Sequence, residues 1–164
     1  MKKLLKFAPA LLLAAAMLVP LATAQASVYS FNLGPPNTAV NPGNSQTIRL
    51  VGGGVFDTSL RSVLATGDFQ IKNAQGTVIS RGTWAATAFN SFDSQGGLSP
   101  GLQGGLLKIW VTLYPTSGAA ATNQLMTVVC PFESGAFDEG DDGTTLGNFT
   151  NITGGLTVFH LLKP

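Results

Sequence analysis

The chain has 164 residues, with nine Lys or Arg against eight Asp or Glu, a single His and a single Cys. So sparse and balanced a charge argues against a basic nucleic-acid face or a polybasic membrane patch, and one cysteine rules out an internal disulfide. The length suits one domain with a substantial core.

The first two dozen residues read differently from the rest. Lys2, Lys3 and Lys6 precede an apolar run over residues 7–19; Pro20 breaks it, and Ala22, Thr23, Ala24, Gln25, Ala26 and Ser27 follow. This is the layout of a secretory signal peptide. Cleavage is expected after Ala24, with Ala26 as the alternative. About 13 apolar residues fall short of the roughly 20 that cross a bilayer, and no Cys stands at the cleavage point to carry a lipid. The expected division is a signal peptide over residues 1–24 and one β-domain over residues 25–164, in a protein that is secreted or periplasmic and keeps no membrane span. Cleavage removes three of the nine basic residues and no acid, leaving six against eight, a net charge of −2.

Residues 28–33 (VYSFNL) alternate in polarity and predict a first strand. Pro35, Pro36 and Pro42 then predict a loop over residues 34–45. Residues 46–57 form a second predicted strand. Gly52-Gly53-Gly54 within it has neither the Gly-Lys-Ser/Thr nor the following helix of a phosphate loop, so it reads as a bulge or bend. Residues 61–73 form a third strand, with Val63, Ala65, Gly67, Phe69 and Ile71 on the core face. The tightest hairpin follows at Asn73-Ala74-Gln75-Gly76. A two-residue loop places Asp68 opposite Arg81 and Trp84 opposite Ala65, and is the favoured register. A type I turn with left-handed Gly76 is the alternative and moves the pairing by one residue.

A long fourth strand is predicted over residues 77–92 and a glycine-rich loop over residues 93–103. Residues 104–114 form a fifth strand, with Leu107, Ile109, Val111 and Leu113 on one face and Lys108, Trp110, Thr112 and Tyr114 on the other. Residues 124–130 form a sixth, residues 146–152 a seventh, and residues 156–162 (LTVFHLL) the last. Outside the first two dozen residues no segment has a helical period. About eight strands with short connections point to an all-β fold, an antiparallel up-and-down β-barrel, with a two-sheet β-sandwich as the alternative.

Few residues could carry chemistry. The lone His160 has no Gly-x-Ser-x-Gly elbow to serve and no second His for zinc; it reads as a structural histidine on the face of Leu156, Val158 and Leu162. Cys130, in an apolar run, reads as an inert buried thiol. The acidic segment over residues 133–142, with Asp138, Asp141 and Asp142, offers oxygen ligands for calcium, but the EF-hand spacing fails, since Gly140 and Phe149 stand where ligands belong. It reads as a solvated loop. Trp84, Trp110 and Tyr114 could stack on sugars; core roles are the more common use of such rings. No cofactor and no metal is expected.

Gly82-Thr83-Trp84 resembles the Gly-x-Trp of lipocalins, which there stands on the first barrel strand and here on the fourth. Gly53-Gly54-Val55-Phe56, with Ala65-Thr66-Gly67-Asp68-Phe69 after it, resembles the glycine-rich strands of dirigent and allene oxide cyclase-type barrels. Those are exported or plastid eight-stranded barrels around a ligand cavity. Across most of the mature chain, the run Gly82–Thr87 (GTWAAT), then Gly104-Gly105-Leu106-Leu107, Cys130 and Leu156-Thr157-Val158-Phe159 is similar to secreted bacterial proteins without an assigned activity. The resemblances imply a barrel but transfer no catalytic residue. The resulting expectation is non-catalytic binding of a small apolar ligand inside the barrel, lined by Phe69, Trp84 and His160. A structural or adhesive surface protein and a cyclase- or isomerase-like enzyme are the alternatives.

Overall fold

The computed structural model describes residues 27–131 and 142–164. The predicted signal peptide and the candidate calcium ligands Asp138 and Asp141 lie outside the described residues. Those described form an all-β structure: β1 (Val28–Val40), β2 (Thr47–Asp57), β3 (Ser62–Lys72), β4 (Val78–Ser99), β5 (Leu102–Pro115), β6 (Ala121–Cys130), β7 (Gly143–Leu146), β8 (Asn151–Gly154) and β9 (Thr157–Lys163). All neighbours are antiparallel.

From β1 to β5 each strand pairs with the next. β9 then enters between β1 and β5, so that β1, β2, β3, β4, β5 and β9 form a ring of six paired strands. The ring is sealed thinly on one side, where only Leu102 and Gln103 of β5 pair with His160 and Phe159 of β9. β6 extends outward from β5, β7 from β6, and β8 lies on the far half of β1.

Alternation fills the space within. Leu33, Ile48, Leu50, Phe56, Trp84, Leu107, Ile109, Val111, Met126 and Phe159 are fully buried. Tyr29, Phe56, Phe92 and Phe159 form a continuous aromatic cluster, with centroids 4.8 Å apart for Tyr29–Phe92 and Phe56–Phe92 and 6.1 Å for Phe56–Phe159. Tilted and edge-on pairs of this kind contribute roughly 0.5–1.5 kcal/mol each beyond the area they bury. β3 and β4 pair only from Thr66 and Ala85 onward. Where they part, Arg61 Nη2 donates to the Asn90 carbonyl at 2.8 Å and its guanidinium lies 5.6 Å from the Phe89 ring centre.

Four segments differ from expectation. The first strand does not end at Leu33. It crosses Pro35 and Pro36 by a register shift and pairs again from Asn37, because a bulge tolerates residues that cannot donate to the ladder. The fourth runs to Ser99 through four register shifts, which absorb the glycines expected to form a loop, and turns at Pro100-Gly101. The seventh is two strands: a two-residue turn at Gly147-Asn148, closed by Leu146 and Phe149 donating to each other's carbonyls at 3.1 and 2.9 Å, separates β7 from β8. Gly147 has φ +54° at the first turn position, where a type II′ turn requires it.

The fourth difference is the β3–β4 register. Asn73 and Gly76 close a type I turn with Gly76 at φ +80°, and a second irregularity follows between Ile71 and Lys72. Together they shift the favoured pairing by two residues, so Asp68 faces Thr83 and Trp84 faces Gly67. A shift of two preserves every face, since side chains alternate with period two. Trp84 therefore still points inward, but onto glycines. Its Nε1 donates to the Val51 carbonyl at 3.0 Å, and a Cβ at Gly52 or Gly67 would stand within 3.0 Å of the indole.

Candidate functional site

The three residues expected to line a ligand cavity do not come together. Phe69 and Trp84 face inward and are buried among packed side chains. His160 is exposed. Its strand sends Thr157 and Phe159 inward, so His160, with the exposed Leu156 and Leu162, belongs to the outer face. The parity is set by Thr157, whose hydroxyl meets the Val129 carbonyl and donates to Asp142 Oδ1 at 2.6 Å. His160 stands opposite Ser30 and Leu102.

Cys130 is buried. Burial pushes its thiol upward, and the Asp142 carboxylate pushes it further, against a smaller opposing hydrogen bond from Thr157. Such surroundings disfavour the thiolate that nucleophilic chemistry requires. Among the described residues no cluster of three His, Cys, Asp or Glu side chains could hold a metal ion.

The outer face of β2–β5 is different in kind. Inward Ile48, Leu50, Phe69 and Trp84 leave the alternate residues outside, and the ladder aligns these in rows. Arg49, Gln70 and Arg81 make one row; Val51, Asp68, Thr83 and Tyr114 make the next. These rows border an open groove of about 430 Å³ lined by Arg49, Val51, Asp68, Phe69, Gln70, Arg81, Gly82, Thr83 and Thr116. Of the expected trio, Phe69 alone is among its lining residues. Among the described residues the side chains of Arg49, Asp68, Gln70, Arg81 and Thr83 have no hydrogen-bond or ion-pair partner. Lys72, next on the outer face of β3, is also exposed. Arg49, Lys72 and Arg81, three of the nine Lys and Arg of the chain, thus lie together at this end of the face.

The same face continues along β5. Tyr114, opposite Thr83, is 49% exposed, and Trp110 is 37% exposed. Four residues of strand separate them, about 13 Å. Trp110 borders a second shallow groove of about 430 Å³ with Thr87, Ala88 and Asn123, where Thr87 Oγ1 donates to the Trp110 carbonyl at 3.1 Å. The face therefore offers two exposed rings, several uncommitted hydroxyl, amide and carboxylate groups, and a cationic end. Such a surface can stack on flat ligands and hydrogen-bond their edges.

The alternation of β5 put Trp110 and Tyr114 on one face in the sequence. The arginine row was hidden, because Arg49, Gln70 and Arg81 meet only through the register of three strands. Comparison with protein-family models, with curated proteins and with solved structures found no match for the chain.

Proposed function

We propose that the chain is an exported, non-catalytic binding module, a single antiparallel barrel that holds a carbohydrate against the outer face of β2–β5. The ring of six strands, with inward residues packed on all sides, supports the barrel over the two-sheet sandwich. Export rests on Lys2, Lys3, Lys6 and the apolar run after them; protein isolated from its source should begin at Gln25.

The observation that carries the reading is the pair of exposed rings on one strand face, Trp110 lining one groove and Tyr114 standing opposite Thr83 of the other. Large aromatic side chains exposed together on a face of polar neighbours mark an interaction surface. A sugar presents both an apolar ring face for stacking and hydroxyls for Thr, Asn, Gln and Asp. The ligand is assigned to the outside because an apolar molecule within the ring would have to displace Trp84, Phe56 and Phe159, which are already close-packed.

The two tryptophans make the test direct. Trp84 is fully buried and Trp110 is not, so acrylamide should quench Trp110 alone. Titration with mixed oligosaccharides should protect Trp110 from quenching, and Trp110→Ala or Tyr114→Ala should weaken binding roughly three- to tenfold, the worth of one aromatic contact. Absence of protection by any sugar, or protection that rises with protein concentration instead, would replace this reading with self-association of an adhesive or structural protein.

A further inference from the structure

Resting on the carbohydrate reading, we infer that the groove between Arg49 and Arg81 is an acid-group subsite, and that the ligand of this face is a sugar bearing a carboxylate, such as a uronate. The two arginines stand two strands apart, about 10 Å at the backbone, with Gln70 between them in the same row. Both arginines line one groove, and among the described residues neither side chain has an ion-pair partner. A planar guanidinium fork matches a carboxylate in a bidentate pair. Lys72 adds to the positive field of this end of the face.

Asp68 narrows the choice. It lies in the adjoining row and lines the same groove. A carboxylate there accepts hydrogen bonds from ligand hydroxyls and repels a compact dianion such as inorganic phosphate. The groove thus suits one negative charge next to several hydroxyls. Thr83, in the same lining, is the cross-strand neighbour of Tyr114. A sugar ring on Tyr114 therefore has its edge over Thr83 and Asp68, with its acid group directed toward Arg81. The next rings of an oligomer would run along β5 toward Trp110.

The experiment compares a uronate trisaccharide with its methyl ester, binding measured by calorimetry to the mature chain at low and high salt. The free acid should bind about tenfold more tightly than the ester at low salt, and the gap should narrow at high salt as the charges are screened. Arg49→Gln and Arg81→Gln should each narrow that gap by weakening the acid more than the ester; both residues are exposed, and a thermal melt checks that the variants are folded. Trp110→Ala should weaken acid and ester equally. Equal affinities for acid and ester, unaltered by the arginine variants, would overturn the subsite and leave the carbohydrate face standing. Inorganic phosphate binding more tightly than the trisaccharide would also overturn it. If neither sugar binds, the face reading fails and the subsite with it.

Discussion

Gly67→Ala tests the packing that sets the β3–β4 register. A Cβ at position 67 would stand 2.7 Å from Trp84 Nε1 and 2.8 Å from Gly52 Cα, and would also run into the Val51 carbonyl oxygen. Carbon atoms pack at about 3.5–4.0 Å, so the indole must retreat by close to an ångström. It has nowhere to go, being fully buried, and its N–H is held by that same Val51 carbonyl. The new methyl therefore presses on donor and acceptor of one hydrogen bond. Overpacking of this kind costs about 1–3 kcal/mol, and loss of the hydrogen bond adds about 1 kcal/mol. The expected destabilisation is thus about 2–4 kcal/mol, well above the roughly 0.4–1 kcal/mol that Gly→Ala gains through the unfolded chain. Urea unfolding followed by far-UV circular dichroism should show the midpoint fall with the slope unchanged. In a Trp84→Phe background the Nε1 is gone, and of the three nearest contacts only the Val51 and Gly52 backbone atoms remain. The two changes should then couple by at least about 0.5 kcal/mol. A Gly67→Ala protein as stable as the parent, or strict additivity with Trp84→Phe, would refute the seat described for Trp84.

Asn37 is fully buried; it donates through Nδ2 to the Leu156 carbonyl at 3.2 Å and accepts from Thr144 Oγ1 at 3.2 Å, tying β1 to β7 and to the β8–β9 turn. Asn37→Ala should cost about 1–3 kcal/mol for the polar groups left unmade, read as a drop in melting temperature, with hydrogen exchange fastest in β7 and β8. Because burial raises the Cys130 thiol in the folded state, the folded protein holds that proton more tightly. Stability from this group is complete below the unfolded thiol's value, about 8.5, and should decline as pH rises above it; Cys130→Ala should flatten that alkaline decline, and the native thiol should resist alkylation at pH 8. Asp57 is held below the usual carboxylate value first by the Ser59 hydroxyl and then by the Leu60 backbone N–H. Its contribution is present above about pH 4 and lost as pH falls through the lowered folded value, so Asp57→Asn should lower the melting temperature at pH 7, and the difference from the parent should shrink as the pH is taken below 4.

Much of the strand pattern was legible because it is local. The core face of β3 and the buried row Leu107, Ile109, Val111 and Leu113 of β5 follow from period-two alternation alone, and the structure has them as read. Prolines and glycines were less legible. Pro35 and Pro36 signal the end of a strand unless a bulge carries it across, and the glycines of β4 signal a loop unless a partner strand holds them. Gly147-Asn148 is a turn signal masked by the residues on either side, which continue one apolar-polar run. His160 shows a different limit. Its neighbours in the sequence are apolar on both faces, so alternation could not tell inside from outside, and the Thr157 anchor to Val129 and Asp142 decided it.

The candidate site divides in the same way. Trp110 and Tyr114 share a face by virtue of their spacing on one strand, and no tertiary information is needed for that. Arg49, Gln70 and Arg81 come from three strands, and one residue of slip in either ladder would have scattered them across two faces. By itself the sequence determined an all-β chain, the composition of its strand faces and the absence of an internal disulfide, because these depend on residue identity and short-range period. The tertiary structure alone decided that β9 enters between β1 and β5, that Trp84 sits on Gly52 and Gly67, and that Arg49 and Arg81 share a groove. Each of these is set by register and strand order, long-range quantities that side-chain packing fixes only once the ring has formed.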